Sequence, residues 1–210
     1  MINLYLITNR TLCSEQEYFD RIKEACINGV DNIIIREKDL TDEEVICIYE
    51  KISQSLPVDV RKKTSIIINS KFKAYEDTDC DGIHLPFWLF KEKLEEVYNF
   101  KIGKQIGLSL HSTDEVAEME ELCGKYDVKI SYITLSHIYE TKCKEGLEPK
   151  GLELLKMGGK LTKVKIVALG GIDSSNAKET LKYCDDIAVM SLIMKSNDVK
   201  MTMEELINCK

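Results

Sequence analysis

Runs rich in Ile, Val and Leu recur along the chain at positions 4–8, 32–36, 65–69, 82–85, 105–110, 130–135, 165–169 and 186–190. Several are almost continuous in apolar residues rather than alternating, the pattern of parallel strands covered on both faces. Helical patterns lie between them. Ser14 with Glu17, Thr41 with Glu44 and Ser112 with Glu115 have capping-box spacing at helix starts,. Apolar stripes at helical period follow: Phe19, Ile22, Ala25 and Cys26; Val45, Ile48, Tyr49 and Ile52; Val116, Met119, Leu122 and Cys123,. Leu94, Val97 and Tyr98 predict a helix between strands four and five, Ala177, Thr180 and Leu181 one after Asp173, and Met203, Leu206 and Ile207 the last. Eight alternating strand and helix units predict an α/β fold, a compact (β/α)8 TIM barrel in one domain over 1–210. A doubly wound open sheet is the competing architecture.

Composition narrows the setting. A chain of 210 residues can bury roughly 70–75% of its unfolded surface, so no disulfides are needed. The net charge of −7 and pI near 5.2 argue against a nucleic-acid partner. Met1 leads into an apolar run without a basic leader,. No apolar stretch approaches the roughly 20 residues of a bilayer span. A cytoplasmic protein with no membrane partner is expected. Eight cysteines are spread without a C-x-x-C pair. That speaks against a disulfide framework or a zinc site and for small buried hydrophobes, with Cys143 set apart in a polar loop.

In a barrel the chemistry gathers at the C-terminal ends of the strands, and phosphate commonly binds after strands seven and eight. Strand seven ends in Gly170-Gly171 and strand eight in Met190-Ser191. Paired glycines let backbone N–H groups approach an anion, and Ser191 adds a hydroxyl. Arg36 and Lys38 follow strand two. Arg36 could grip a carboxylate or phosphate, or pair with Glu37 or Asp39 to brace the rim; the sequence leaves both open. Asn69 could present an amide. His137 ends strand six and opens a long polar loop, a fitting place for an acid/base group that titrates near neutrality. His84 and His111 could reach the mouth, though a hydrogen-bonded structural role suits each better. Lys142 and Lys144 fit a solvated loop.

Together Tyr5-Leu6-Ile7-Thr8, Ile35-Arg36-Glu37-Lys38, Gly82-Ile83-His84-Leu85, Ile106 to Ser112, Ala168 to Ile172 and Ala188 to Ser191 resemble the thiamine-phosphate synthase and thiazole tautomerase (TenI) superfamily. The resemblance spans nearly the whole chain and implies a compact barrel, usually a homodimer. Its synthase branch couples a pyrimidine pyrophosphate to a thiazole phosphate with Mg²⁺. That branch has Asn-Asp after strand three, an acidic residue after the His-Leu of strand four, Gln two residues before the Arg of strand two, and Gly-Pro after strand six. Here stand Asn69-Ser70, Pro86-Phe87-Trp88, Ile34 and Ser136-His137. Hard Mg²⁺ usually needs a carboxylate.

The loop from His137 through Tyr139, Glu140, Thr141 and Cys143 to Gly146-Leu147-Glu148 is instead similar to the tautomerase branch, apart from Ser136 where glycine is usual. That likeness implies an isomerase that aromatises a carboxythiazole phosphate. His137 would move the proton from the ring C2 to the exocyclic carbon, with no metal or other cofactor. The phosphate would rest on Gly170, Gly171 and Ser191. Arg36 and Lys38 would face the carboxylate. Asn69, Ser109, Thr141 and Met190 would line the site. A thiamine-phosphate synthase and a non-catalytic ligand-binding regulator are the alternatives.

Overall fold

The computed structural model describes residues 2–141 and 146–208. Among them, eight parallel strands close into one barrel in sequence order. These are β1 (Leu4–Ile7), β2 (Asn32–Ile35), β3 (Ser65–Asn69), β4 (Gly82–Pro86), β5 (Gln105–Leu110), β6 (Tyr132–Ser136), β7 (Lys165–Leu169) and β8 (Asp186–Val189). β8 returns to β1 through Leu4↔Ile187 and Leu6↔Val189, which rules out an open sheet. Every apolar run becomes a strand, and no end moves by more than two residues.

The helices form the outer layer: α1 (Glu15–Ile27), α2 (Asp42–Ser55), α3 (Val58–Arg61), α4 (Phe72–Asp77), α5 (Phe87–Glu95), α6 (Thr113–Tyr126), α7 (Gly151–Leu161), α8 (Ala177–Thr180), α9 (Ser191–Met194) and α10 (Val199–Asn208). Successive strand side chains point to opposite faces. Leu4, Leu6, Ile33, Ile35, Ile66 and Ile68 therefore meet the helices, while Tyr5, Ile7, Ile34, Ile67, Val167 and Ala188 fill the interior. Burying each Leu or Ile contributes roughly 1.5–3 kcal/mol, and both faces of the sheet are used.

Three local expectations change. The helix before β5 starts at Phe87, directly after β4, and its buried face is Phe87, Phe90 and Leu94. Val97 lies beyond it, 75% exposed, with φ of 55°. The boxes at Ser14 and Thr41 close in both directions. At Ser112 only half forms, because the Glu115 carboxylate accepts from the His111 N–H (2.5 Å) instead of from Ser112. Of the cysteines, Cys26 and Cys80 are buried, Cys13, Cys123 and Cys184 are half-buried and Cys47 is exposed; Cys143 and Cys209 lie outside the described residues. No helix among the described residues is long and apolar enough to cross a membrane.

Candidate active site

A cavity of about 830 Å³ opens at the C-terminal mouth of the barrel. One wall comes from β1, β2 and β3. Glu37 is 4% exposed and accepts three hydrogen bonds: from the Thr8 hydroxyl (2.6 Å), the Tyr18 hydroxyl (2.9 Å) and the Arg10 N–H (3.0 Å). A buried carboxylate needs such partners. Thr8 also accepts from the Arg36 N–H (3.0 Å), so the loop carrying Arg36 and Lys38 is tied to β1. Asp39 pairs with Arg10. Lys71, just past β3, is the third cation of this wall.

The other wall is the loop after β6 with the ends of β7 and β8. Gly170 and Gly171 have φ of 103° and 70°. A Cβ on Gly170 would lie 2.5 Å from His137 Cβ, and one on Gly171 would lie 2.5 Å from the Glu140 carbonyl oxygen. The glycine pair is therefore required first by the close approach of the β6 loop. The backbone seals that contact: Ile138 N–H donates to the Leu169 carbonyl (3.1 Å) and Tyr139 N–H to that of Gly170 (2.9 Å). Asn176 braces the far side, donating to the Gly171 carbonyl (2.9 Å). His137 is 3% exposed; its Nε2 lies 3.3 Å from the Leu147 carbonyl oxygen. His111 Nδ1 lies 3.0 Å from the Ser136 hydroxyl.

The floor is polar. Both Asn69 amide protons are engaged, by the His84 carbonyl (2.8 Å) and Ser70 Oγ (3.1 Å), so Asn69 offers the cavity its oxygen. The buried His84 ring sits between the Tyr132 hydroxyl (3.0 Å from Nδ1) and Ser109 Oγ (2.7 Å from Nε2). Burial first, and the Arg36 charge second, push its pKa down to about 3, so the ring is neutral. Burial raises the phenol pKa of Tyr132 well above its usual range.

The ten residues singled out from sequence, Arg36, Lys38, Asn69, Ser109, His137, Thr141, Gly170, Gly171, Met190 and Ser191, all border this cavity. Lys142, Cys143 and Lys144 lie outside the described residues. His111, weighed as structural, is exposed at the mouth. Lys71, Pro86 and Trp88 border the cavity too and were missed, although the location of barrel sites at strand C-termini points to Lys71. Tyr132 was missed because nothing local marks it.

The Mg²⁺ implied by the synthase resemblance does not fit these residues. Glu37 is the cavity's one carboxylate among the described residues, and Thr8, Tyr18 and Arg10 occupy three of its roughly four acceptor sites,. Among the described residues no group of three or more His, Cys, Asp or Glu side chains could hold a metal ion. Three cations, Arg36, Lys38 and Lys71, border the same space.

Fold and site together define a (β/α)8 barrel with a cationic mouth and two positive-φ glycines at the end of β7. The sequence profile described as thiamine monophosphate synthase matches residues 4–193, and the chain belongs to that family. A thiamine-phosphate synthase of Pyrococcus furiosus is 32% identical over 208 residues, 98% of this chain and 93% of the relative. One of Clostridium acetobutylicum is 28% identical, over 94% and 89%. The solved thiamine phosphate pyrophosphorylase of Pyrococcus furiosus superposes with a TM-score of 0.78 at 27% identity, covering 99% of this chain and 95% of that one.

These relatives overturn the tautomerase expectation. They bear a synthase name, that of a transferase rather than an isomerase, over nearly the full chain. The misreading has a physical source. It rested on the carboxylates missing at Ser70 and Pro86-Phe87-Trp88 and on one loop, 137–148, whose described part mainly closes on the barrel: its backbone pairs with Leu169 and Gly170, and Lys150 and Gly151 N–H groups donate to the His137 and Ile138 carbonyls (2.9 and 3.1 Å). Such a segment follows how the mouth is built as much as which reaction occurs there.

Proposed function

We propose that the chain is a transferase of the thiamine-phosphate synthase type, joining a thiazole phosphate to a pyrimidine carried on a pyrophosphate. The observation that supports this most is that Arg36, Lys38 and Lys71 border the same cavity as the Gly170-Gly171 and Ser191 ends of β7 and β8. Two anionic ligands need two such anchors. In the coupling, the thiazole ring nitrogen forms a bond to the pyrimidine's methylene carbon. The carbon–oxygen bond breaks, and inorganic pyrophosphate leaves with the electron pair. Negative charge grows on the leaving oxygen, where Arg36, Lys38 and Lys71 stabilise it. The thiazole phosphate rests on the β7 and β8 ends. His137, beside Gly170, walls the reacting rings off from water.

Coupled turnover tests this. Purified protein given both substrates, with and without added Mg²⁺, is expected to yield thiamine phosphate and pyrophosphate one for one. Failure to yield either, in both conditions, contradicts the transferase reading. One observation favours a second reading, a barrel that holds these phosphates without coupling them: Ser70 and Pro86-Phe87-Trp88 occupy the places where the resemblance puts carboxylates. Ligand binding with no product would select it.

A further inference from the structure

The chain has one tryptophan, and it stands at the cavity. β4 ends at Pro86 and α5 starts at Phe87, which puts Trp88 in the first turn of a helix that begins at the barrel mouth. Phe87, Phe90 and Leu94 form the buried face of α5, and the Phe87 and Phe90 rings stack on each other. Trp88, one residue beyond Phe87, is turned about 100° from that face. It is 64% exposed. Among the described residues the indole joins neither the Phe87–Phe90 pair nor the side chains packed against the core, and its N–H has no protein partner.

A single exposed apolar side chain on a convex surface needs no explanation. This one borders the cavity, and it is the one Phe, Tyr or Trp among the described residues that does. Binding cavities use such flat apolar faces to hold rings, while a few polar groups fix orientation. Stacking asks for no hydrogen-bond pattern, only for a planar π-face opposite. Position chooses the ring. The strands follow one another in sequence order around the barrel. Trp88 after β4 is therefore next in line to Lys71 after β3 and to Arg36 and Lys38 after β2, whereas β7 and β8 are three and four strands away. We propose that Trp88 is the stacking platform for the pyrimidine ring of the pyrophosphate ester, and so selects a ring-bearing ester over bare pyrophosphate. The ester's identity rests on the proposed function.

As the chain's one tryptophan, Trp88 reports on the cavity through its own emission. Titration with the pyrimidine pyrophosphate is expected to quench that emission, and inorganic pyrophosphate, which carries no ring, to leave it nearly unchanged. Equal quenching by the two, or quenching by the thiazole phosphate in place of the ester, overturns the assignment. An emission maximum that moves with protein concentration in the absence of ligand gives the indole to a contact between copies and also overturns it. Calorimetry, with and without added Mg²⁺, then reads affinity. Trp88→Ala is expected to weaken the ester about five- to hundredfold and to leave inorganic pyrophosphate unchanged, and Trp88→Phe to restore most of the loss. Equal losses for both ligands mark Trp88 as merely structural, and no loss for either marks it as idle; each overturns the proposal while leaving the transferase reading in place. A wild-type protein that binds neither ligand in both conditions overturns the two together.

Discussion

Within the barrel, Ile34, Ile67, Val167 and Ala188 fill the sector of β2, β3, β7 and β8 with hydrocarbon, whereas β4, β5 and β6 present His84, Ser109, Thr134 and the Tyr132 phenol. The apolar sector asks only for volume, and shape-conserving changes are absorbed there. The polar sector asks for one register. His84 meets Tyr132 because Gly107 stands between them and is bare. The Tyr5 ring, centred 4.9 Å from that of Tyr132, is the seam between the two sectors. The same interior is thus tolerant on one side and specific on the other, and the specific side leads to the mouth.

Substitutions break this contrast in a graded way. Gly107→Ala is expected to cost most, because a methyl group there overlaps a ring that cannot retreat. A loss of about 3 kcal/mol appears in thermal melts as a fall of roughly 6–12 °C. Acid comes next. The folded-state pKa of His84, about 3, lies below its ordinary 6.5, so the unfolded chain binds the extra proton first. Stability is then lost as pH falls from about 6.5 towards about 3. Chemical denaturation across that window is expected to fall less steeply for His84→Gln than for the wild type. The smallest effect belongs to the apolar sector: Ile67→Val is expected to cost about 1 kcal/mol, leaving pyrophosphate affinity unchanged by calorimetry.

The same contrast explains what could be read from sequence. Ile66-Ile67-Ile68 or Ile33-Ile34-Ile35 announces a strand buried on both faces without help from its neighbours, so the barrel was legible. Arg36, Ser109, Gly170 and Ser191 were legible as mouth residues because the fold sends strand C-termini there. The helix near Leu94 was displaced because Val97 continues the apolar spacing while the chain leaves the helix at Glu96. The His84–Tyr132 contact, 48 residues apart in sequence, exists only once β4, β5 and β6 are in register, and no local pattern encodes it. The glycine pair after β7 read as an anion cradle, yet its neighbours show a second demand, the approach of His137 and Glu140. The reaction itself was misjudged because a loop with conspicuous residues, together with the carboxylates missing at Ser70 and Pro86-Phe87-Trp88, outweighed the likeness to the synthase branch that the rest of the chain carries.

The most direct test of the transferase reading is ³¹P NMR of the protein mixed with the thiazole phosphate and the pyrimidine pyrophosphate. The prediction is that the paired signals of the pyrimidine ester give way to the single signal of free pyrophosphate in the wild type, and far more slowly with Arg36→Ala. A wild-type spectrum that stays unchanged with Mg²⁺ present would contradict it.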